Sequence, residues 1–192
     1  MKKKHWIGLG AVGLVGAAVH TLPGFVEKWK NGVLDHDPYA VGEEGRRLHA
    51  SIPVADLHSD ALLWNRNLTR RSRRGHVDFP RLSEGGVALQ VFSSVTHGPS
   101  DPTYGEDLEH PDLITPLAML QGWPPWTWNS YFRRAMHQAG KLRRFQEKSG
   151  GLVRLLRIRA DLEAVLAKRA VGRNTLGAIF GTEGGHALEG EL

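Results

Sequence analysis

Three separated segments carry side chains that bind metals: Asp56-Leu57-His58-Ser59-Asp60, His76-Val77-Asp78-Phe79-Pro80-Arg81-Leu82, and Glu183-Gly184-Gly185-His186. His58 and Asp60 follow the apolar run Ile52-Pro53-Val54-Ala55. On an extended strand, residues two apart project from one face, so this pair could offer a nitrogen and an oxygen to one cation. Glu183 closes a second candidate strand, Leu176 to Phe180, and the two glycines behind it let the backbone turn sharply. A carboxylate placed there could bridge two ions. Imidazole nitrogen with carboxylate oxygen suits zinc or a related divalent ion. Taken one at a time, His58 and Asp60 read more readily as a surface histidine and a capping aspartate, and a helix-capping role is the alternative for Glu183. His76 and Asp78 also have ligand spacing, but they read as structural, Asp78 and Arg81 fixing the loop that leads to Pro80 and the next strand.

These residues need a scaffold. Val87 to Ser93 is apolar at nearly every position, the pattern of a strand covered on both faces in a parallel sheet. Prolines and glycines punctuate Gly98 to Pro125, with Trp123, Trp126 and Trp128 around Pro124-Pro125. This is a long loop, packed by its own aromatics or serving as a lid over substrate. Phe132, Ala135, Met136, Ala139, Leu142 and Phe145 recur at helical spacing, and Ser149-Gly150-Gly151 stops that helix. Asp161 opens another helix carrying Leu162, Val165 and Leu166, and Gly172 precedes the third strand. Alternating strands and helices place the chain in the α/β class.

The order His-x-Asp, then His-Val-Asp-Phe-Pro-Arg-Leu with Glu84-Gly85-Gly86-Val87 behind it, then Glu-Gly-Gly-His-Ala-Leu-Glu, resembles the renal or membrane dipeptidases, metallopeptidases of the amidohydrolase type. The resemblance runs from about Ala50 to Leu192. Leu57 stands where many members carry a small residue, and Gly98 to Asn129 follows the pattern poorly. The resemblance implies that His58 and Asp60 hold one zinc, that Glu183 bridges it to a second, and that His186, Asp78 and Arg81 support them. It implies hydrolysis of dipeptides by a hydroxide between two ions, which acidify their shared water and polarise the scissile carbonyl. The family draws its other two metal-binding histidines, and a substrate-binding histidine, arginine and aspartate, from later strands. None of these falls within the 192 residues.

The expected fold is therefore an incomplete TIM-type (β/α) barrel over residues 46–192, about its first three strand-helix units, since a closed barrel takes roughly 250 residues. The chain is expected to be inactive alone. Two other readings keep the same scaffold: a non-catalytic membrane-anchored binding module, and a different barrel metallohydrolase. The latter usually opens with His-x-His instead of His-x-Asp.

Residues 1–22 begin Met1-Lys2-Lys3-Lys4 and continue with an uncharged run from Trp6 to Val19, shorter than the roughly 20 residues of a full span. They read as an N-terminal hydrophobic helix, either a signal peptide or a membrane anchor, which places the rest outside the cytoplasm. Residues 23–45 read as a linker. The chain has no cysteine, so thiolate metal sites and disulfides are excluded. Its net charge of +5 comes with two basic patches, Arg66 to Arg74 and Arg133 to Arg144. Without interleaved aromatics the first makes no platform for nucleic acid. The second fits the solvated face of a helix. The expected partners are dipeptide substrates and the membrane, with no nucleic acid, and no pattern specifies an oligomer.

Overall fold

The computed structural model describes residues 21–34, 36–98 and 111–190. Most of the hydrophobic N-terminal segment lies outside them, as does His110; among the described residues no helix is long and apolar enough to cross a membrane. Helical residues 21–30 (α1) are followed by α2 (Glu43–Ser51), β1 (Val54–Asp56), α3 (Phe79–Glu84), β2 (Val87–Ser94), α4 (Ile114–Leu120), α5 (Tyr131–Glu147), β3 (Val153–Leu155), α6 (Arg159–Ala170) and β4 (Leu176–Thr182). Short 3-10 turns occupy Pro125–Thr127 and Gly185–Leu188.

The sheet is parallel throughout, with strand order β1-β2-β4-β3. It has four strands where the sequence suggests three. The extra one, Val153-Arg154-Leu155, pairs only with Leu176 to Ala178 at the start of β4. Without it, β1, β2 and β4 stand in chain order, consistent with part of an α/β barrel. Leu89 pairs with Gly177 and Ser94 with Thr182. A Cβ at Gly177 would lie 2.7 Å from Leu89 Cδ2 and 2.9 Å from Leu156 Cδ1, so a larger residue there would require these two leucine side chains to shift.

Period-2 alternation sorts β2 into two faces. Ala88, Gln90 and Phe92 are buried, and Phe92 joins Leu62, Phe79, Leu142, Leu176 and Ala178 in the main core under α3 and α5. Leu89 and Val91, on the other face, are only half-buried, so the expectation of cover on both faces holds for one face among the described residues. The helices start where the chain supplies caps. The Asp78 carboxylate accepts from Arg81 N–H at the start of α3, and Ser130 Oγ accepts from Arg133 N–H at the start of α5. Asp161 sits inside α6 instead of opening it, accepting from the N–H groups of Arg157 and Ile158.

The second basic patch departs from its sequence reading at two residues, while Arg133, Arg143 and Arg144 are exposed as a solvated face requires. Arg134 is 1% exposed and Lys141 7%. Both lie on the buried stripe of α5 with Ala135, Gln138 and Leu142. Lys141 Nζ donates to the carbonyls of Leu62 and Trp64 at 2.6 and 2.7 Å. These are buried anchors that satisfy backbone carbonyls.

The segment read as a linker also differs. Residues 23–30 are helical, and buried Glu27 pairs with Arg66 Nε at 2.7 Å and Arg74 Nε at 3.6 Å. Arg74 also donates to the Gly24 carbonyl, and Gly75 N–H to that of Asn31. Burial pushes the Glu27 carboxyl above its usual value despite both arginines, so desolvation outweighs attraction here. Glu27→Gln removes a costly buried charge while keeping an acceptor oxygen. It should change amide-exchange protection of residues 21–30 by less than about threefold, whereas Arg66→Ala strands the carboxylate and should lower it at least about tenfold. Equal effects of the two variants would contradict this account.

Candidate metal centre

The C-terminal ends of the parallel strands bring His58, Asp60 and Glu183 together. β1 stops at Asp56, so His58 and Asp60 lie in the loop beyond it and strand alternation does not align them. Local hydrogen bonds do. Asp56 Oδ1 accepts from His58 N–H at 3.1 Å, and Asp60 carbonyl from Leu63 N–H at 2.9 Å. Glu183 is the first residue past β4. Its neighbour in the sheet fixes both segments: Ser93 N–H donates to the Ser59 carbonyl at 2.9 Å, and Glu183 N–H donates to the Ser94 carbonyl at 3.2 Å.

His58 Nε2 consequently lies 3.1 Å from Asp60 Oδ1 and 4.0 Å from Glu183 Oε2. One ligand atom from each of the three residues falls within 4.8 Å of the others. Asp60 Oδ1 is buried and accepts no hydrogen bond, a deficit of about 1–3 kcal/mol for a buried polar atom that a cation would remove. The donor set, one imidazole and two carboxylates, fits a zinc-like ion. The residues present therefore fit such a metal.

Ser93 has no counterpart in the sequence reading. Its hydroxyl sits 3.3 Å from His58 Nδ1. In the tautomer with hydrogen on Nδ1, that nitrogen donates to Ser93 Oγ and leaves the Nε2 lone pair toward the two carboxylates. Ser93→Ala should weaken zinc affinity about tenfold, the lower end of the cost of removing such a partner, and leave the melting temperature nearly unchanged. Titration of the apo protein with zinc checks this; unaltered affinity would show that the ring is oriented by other contacts.

The supporting residues named from sequence are not among the three converging side chains. Asp78 is fully buried, accepts from Ser72 N–H at 2.9 Å and pairs with Arg81 Nε at 2.8 Å, while Arg81 also reaches the Gly75 carbonyl. They hold the turn before α3 and do not join the converging group. His186 packs its ring against His97, with centroids 4.9 Å apart, and against Tyr131 at 6.0 Å. It is not one of the three converging residues. Trp123 is buried with Leu63, Ile114 and Ala118 in a second hydrophobic cluster, on which Trp128 packs. Trp126 is exposed.

A family model described as membrane dipeptidase (peptidase family M19) matches residues 43–192. No curated protein matches the chain. Among solved structures, a metallopeptidase of family M19 described as dipeptidase AC is 25% identical with a TM-score of 0.44, over 71% of this chain and 36% of that one. A metallopeptidase from Rhodobacter sphaeroides, liganded with a phosphinate mimic of the dipeptide L-Ala-D-Ala, is 23% identical with a TM-score of 0.46, over 71% of this chain and 39% of that one. The match therefore spans less than half the length of either protein.

Proposed function

The chain belongs to the membrane dipeptidase family, peptidase family M19, and on that premise we propose that it carries the first part of a zinc site that hydrolyses dipeptides. The observation that supports this most directly is the convergence of His58, Asp60 and Glu183 at the C-terminal ends of parallel strands, the end at which barrel enzymes do their chemistry. His58 and Asp60 hold one ion. Glu183 would lend its carboxylate to the same site, and the family resemblance implies a second ion there. Bound there, zinc acidifies water and polarises a carbonyl as a Lewis acid.

The chain's own residues set the geometry. Ser93 fixes the imidazole, and the Ser94 carbonyl fixes the Glu183 backbone. The side chains of His58, Asp60 and Glu183 are 56%, 41% and 51% exposed, so a small peptide reaches them from solvent. The half-covered sheet face of Leu89 and Val91 then belongs to a barrel interior that further strands complete. The 192 residues alone hydrolyse no dipeptide in this reading. Residues 1–22 direct export, as a cleaved signal or as a retained anchor, and leave the metal centre outside the cytoplasm.

The test is release of free amino acids from a panel of dipeptides by the full-length protein. Activity should vanish on exhaustive chelation and return with zinc. Full activity after chelation, with no metal left by elemental analysis, would overturn the proposal. Cell fractionation and sequencing of the mature N-terminus decide the export reading, which a cytoplasmic protein still beginning at Met1 would refute.

A further inference from the structure

A basic stripe of α5 that runs from buried Lys141 to exposed Arg144 and Lys148 is not used by the metal centre. His137, Lys141, Arg144 and Lys148 follow one another at helical spacing and line a cavity of about 470 Å³ closed by the Asn65 to Asn67 turn and by Trp123. No carboxylate lines it, Glu27 lying behind Arg66, and it shares no residue with His58, Asp60 and Glu183. From this arrangement we infer that the cavity is a binding site for a phosphate ester.

Charge bookkeeping within the cavity supports an anion. Arg66 is already paired with Glu27. His137, its ring 4.7 Å from that of Trp123, is pushed down to about 4 by burial and by Lys141 and Arg144, so it is neutral at pH 7 and offers hydrogen bonds only. Lys141, Arg144 and Lys148 remain, and none has a carboxylate within ion-pair distance among the described residues. An ammonium has three donors. Lys141 spends two on the Leu62 and Trp64 carbonyls, which leaves one for a ligand. Burial, and next Arg144, hold its ammonium down to about 7, a cost that an anion between the two cations would relieve. The Asn65 and Asn67 amides and the Trp123 ring add polar and flat apolar contacts. A phosphate group presents several acceptor oxygens to such a cluster of donors, each charge-assisted, and a cavity of this size also holds a small organic group attached to it.

Calorimetric titration of the full-length protein with glycerol 3-phosphate at fixed ionic strength tests the site, beside sedimentation with vesicles of phosphatidylglycerol or of phosphatidylcholine. Arg144→Gln combined with Lys148→Gln alters two solvent-reaching side chains and should leave the melting temperature intact while weakening binding at least about tenfold. Lys141→Met should weaken it further. Saturable glycerol 3-phosphate binding that the double variant loses identifies a soluble ester. Loss by the double variant of preferential phosphatidylglycerol binding, with no soluble binding, identifies a lipid headgroup. Neither signal in the unaltered protein, or binding equal in the double variant, overturns the inference. Every readout is binding, so the result is independent of whether the metal centre hydrolyses dipeptides.

Discussion

Alanine at His58 or at Asp60 should strip zinc from the full-length protein and lower dipeptide hydrolysis by more than about 100-fold. Loss of a residue that merely orients a metal ligand already costs about 10–100-fold, and these two supply the ligand atoms. Each removal breaks a group whose atoms lie within 4.8 Å of one another. The Asp60 variant also deletes the buried acceptor that no hydrogen bond satisfies. Leu57, between them, is 74% exposed, so Leu57→Ala is the matched control and should keep both metal and activity. Elemental analysis provides a readout apart from turnover. Metal content equal to the parent in both ligand variants would show that the ion, if bound, is held elsewhere.

How legible these features are follows from how local their causes are. β2 and β4 announce themselves because they are apolar over most of their length, and α5 because its apolar residues repeat at helical spacing. β3 does not, since Val153-Arg154-Leu155 is too short to carry a period and exists through its pairing with the start of β4. The three converging residues are legible by residue type and motif order, but strand alternation does not align them; the alignment comes from a loop tied to Ser93 and Ser94. A serine at the end of a strand leaves no signal in a single sequence. Glu27 was unreadable for the same reason: a lone carboxylate in a stretch of mixed Pro, Gly and charge looks solvated until Arg66 and Arg74, far along the chain, close over it. The basic patch of α5 misled differently. Arg134, Gln138 and Lys141 share the buried stripe with Ala135 and Leu142, so polarity masked a face that periodicity alone would have assigned to the core.

Arg134 is where that masked face matters most for stability. Its guanidinium has five donors, and the structure gives it five acceptors: the carbonyls of Thr96, Thr127 and Trp128, Thr115 Oγ1 and Asp112 Oδ2. These join the chain leaving β2 to the start of α4 and to the 3-10 turn that precedes α5. The Asp112 carboxylate also accepts from the N–H groups of Gly98 and Ile114, so one ion pair pins both sides of residues 99–110. Arg134→Ala strands that carboxylate and three carbonyls, which should cost about 3–5 kcal/mol. For a domain of this size that lowers the melting temperature by about 6–20 °C. Arg134→Lys restores a charge opposite Asp112 but offers three donors from one nitrogen, so it should fall between the two. Acid provides an independent check. Burial raises the Asp112 carboxyl, yet the Arg134 bond and those from Ile114, Thr115 and Gly98 together hold it below its ordinary 3.8. A lowered folded value means that the stabilisation is complete above the ordinary value and is lost as pH falls through the folded one. The gap in melting temperature between parent and Arg134→Ala should therefore be full at pH 7 and shrink below about pH 4. A variant that melts within about 2 °C of the parent at pH 7, less than 1 kcal/mol on this scale, would mean that water replaces the guanidinium and that these five contacts do not hold the loop to the helices.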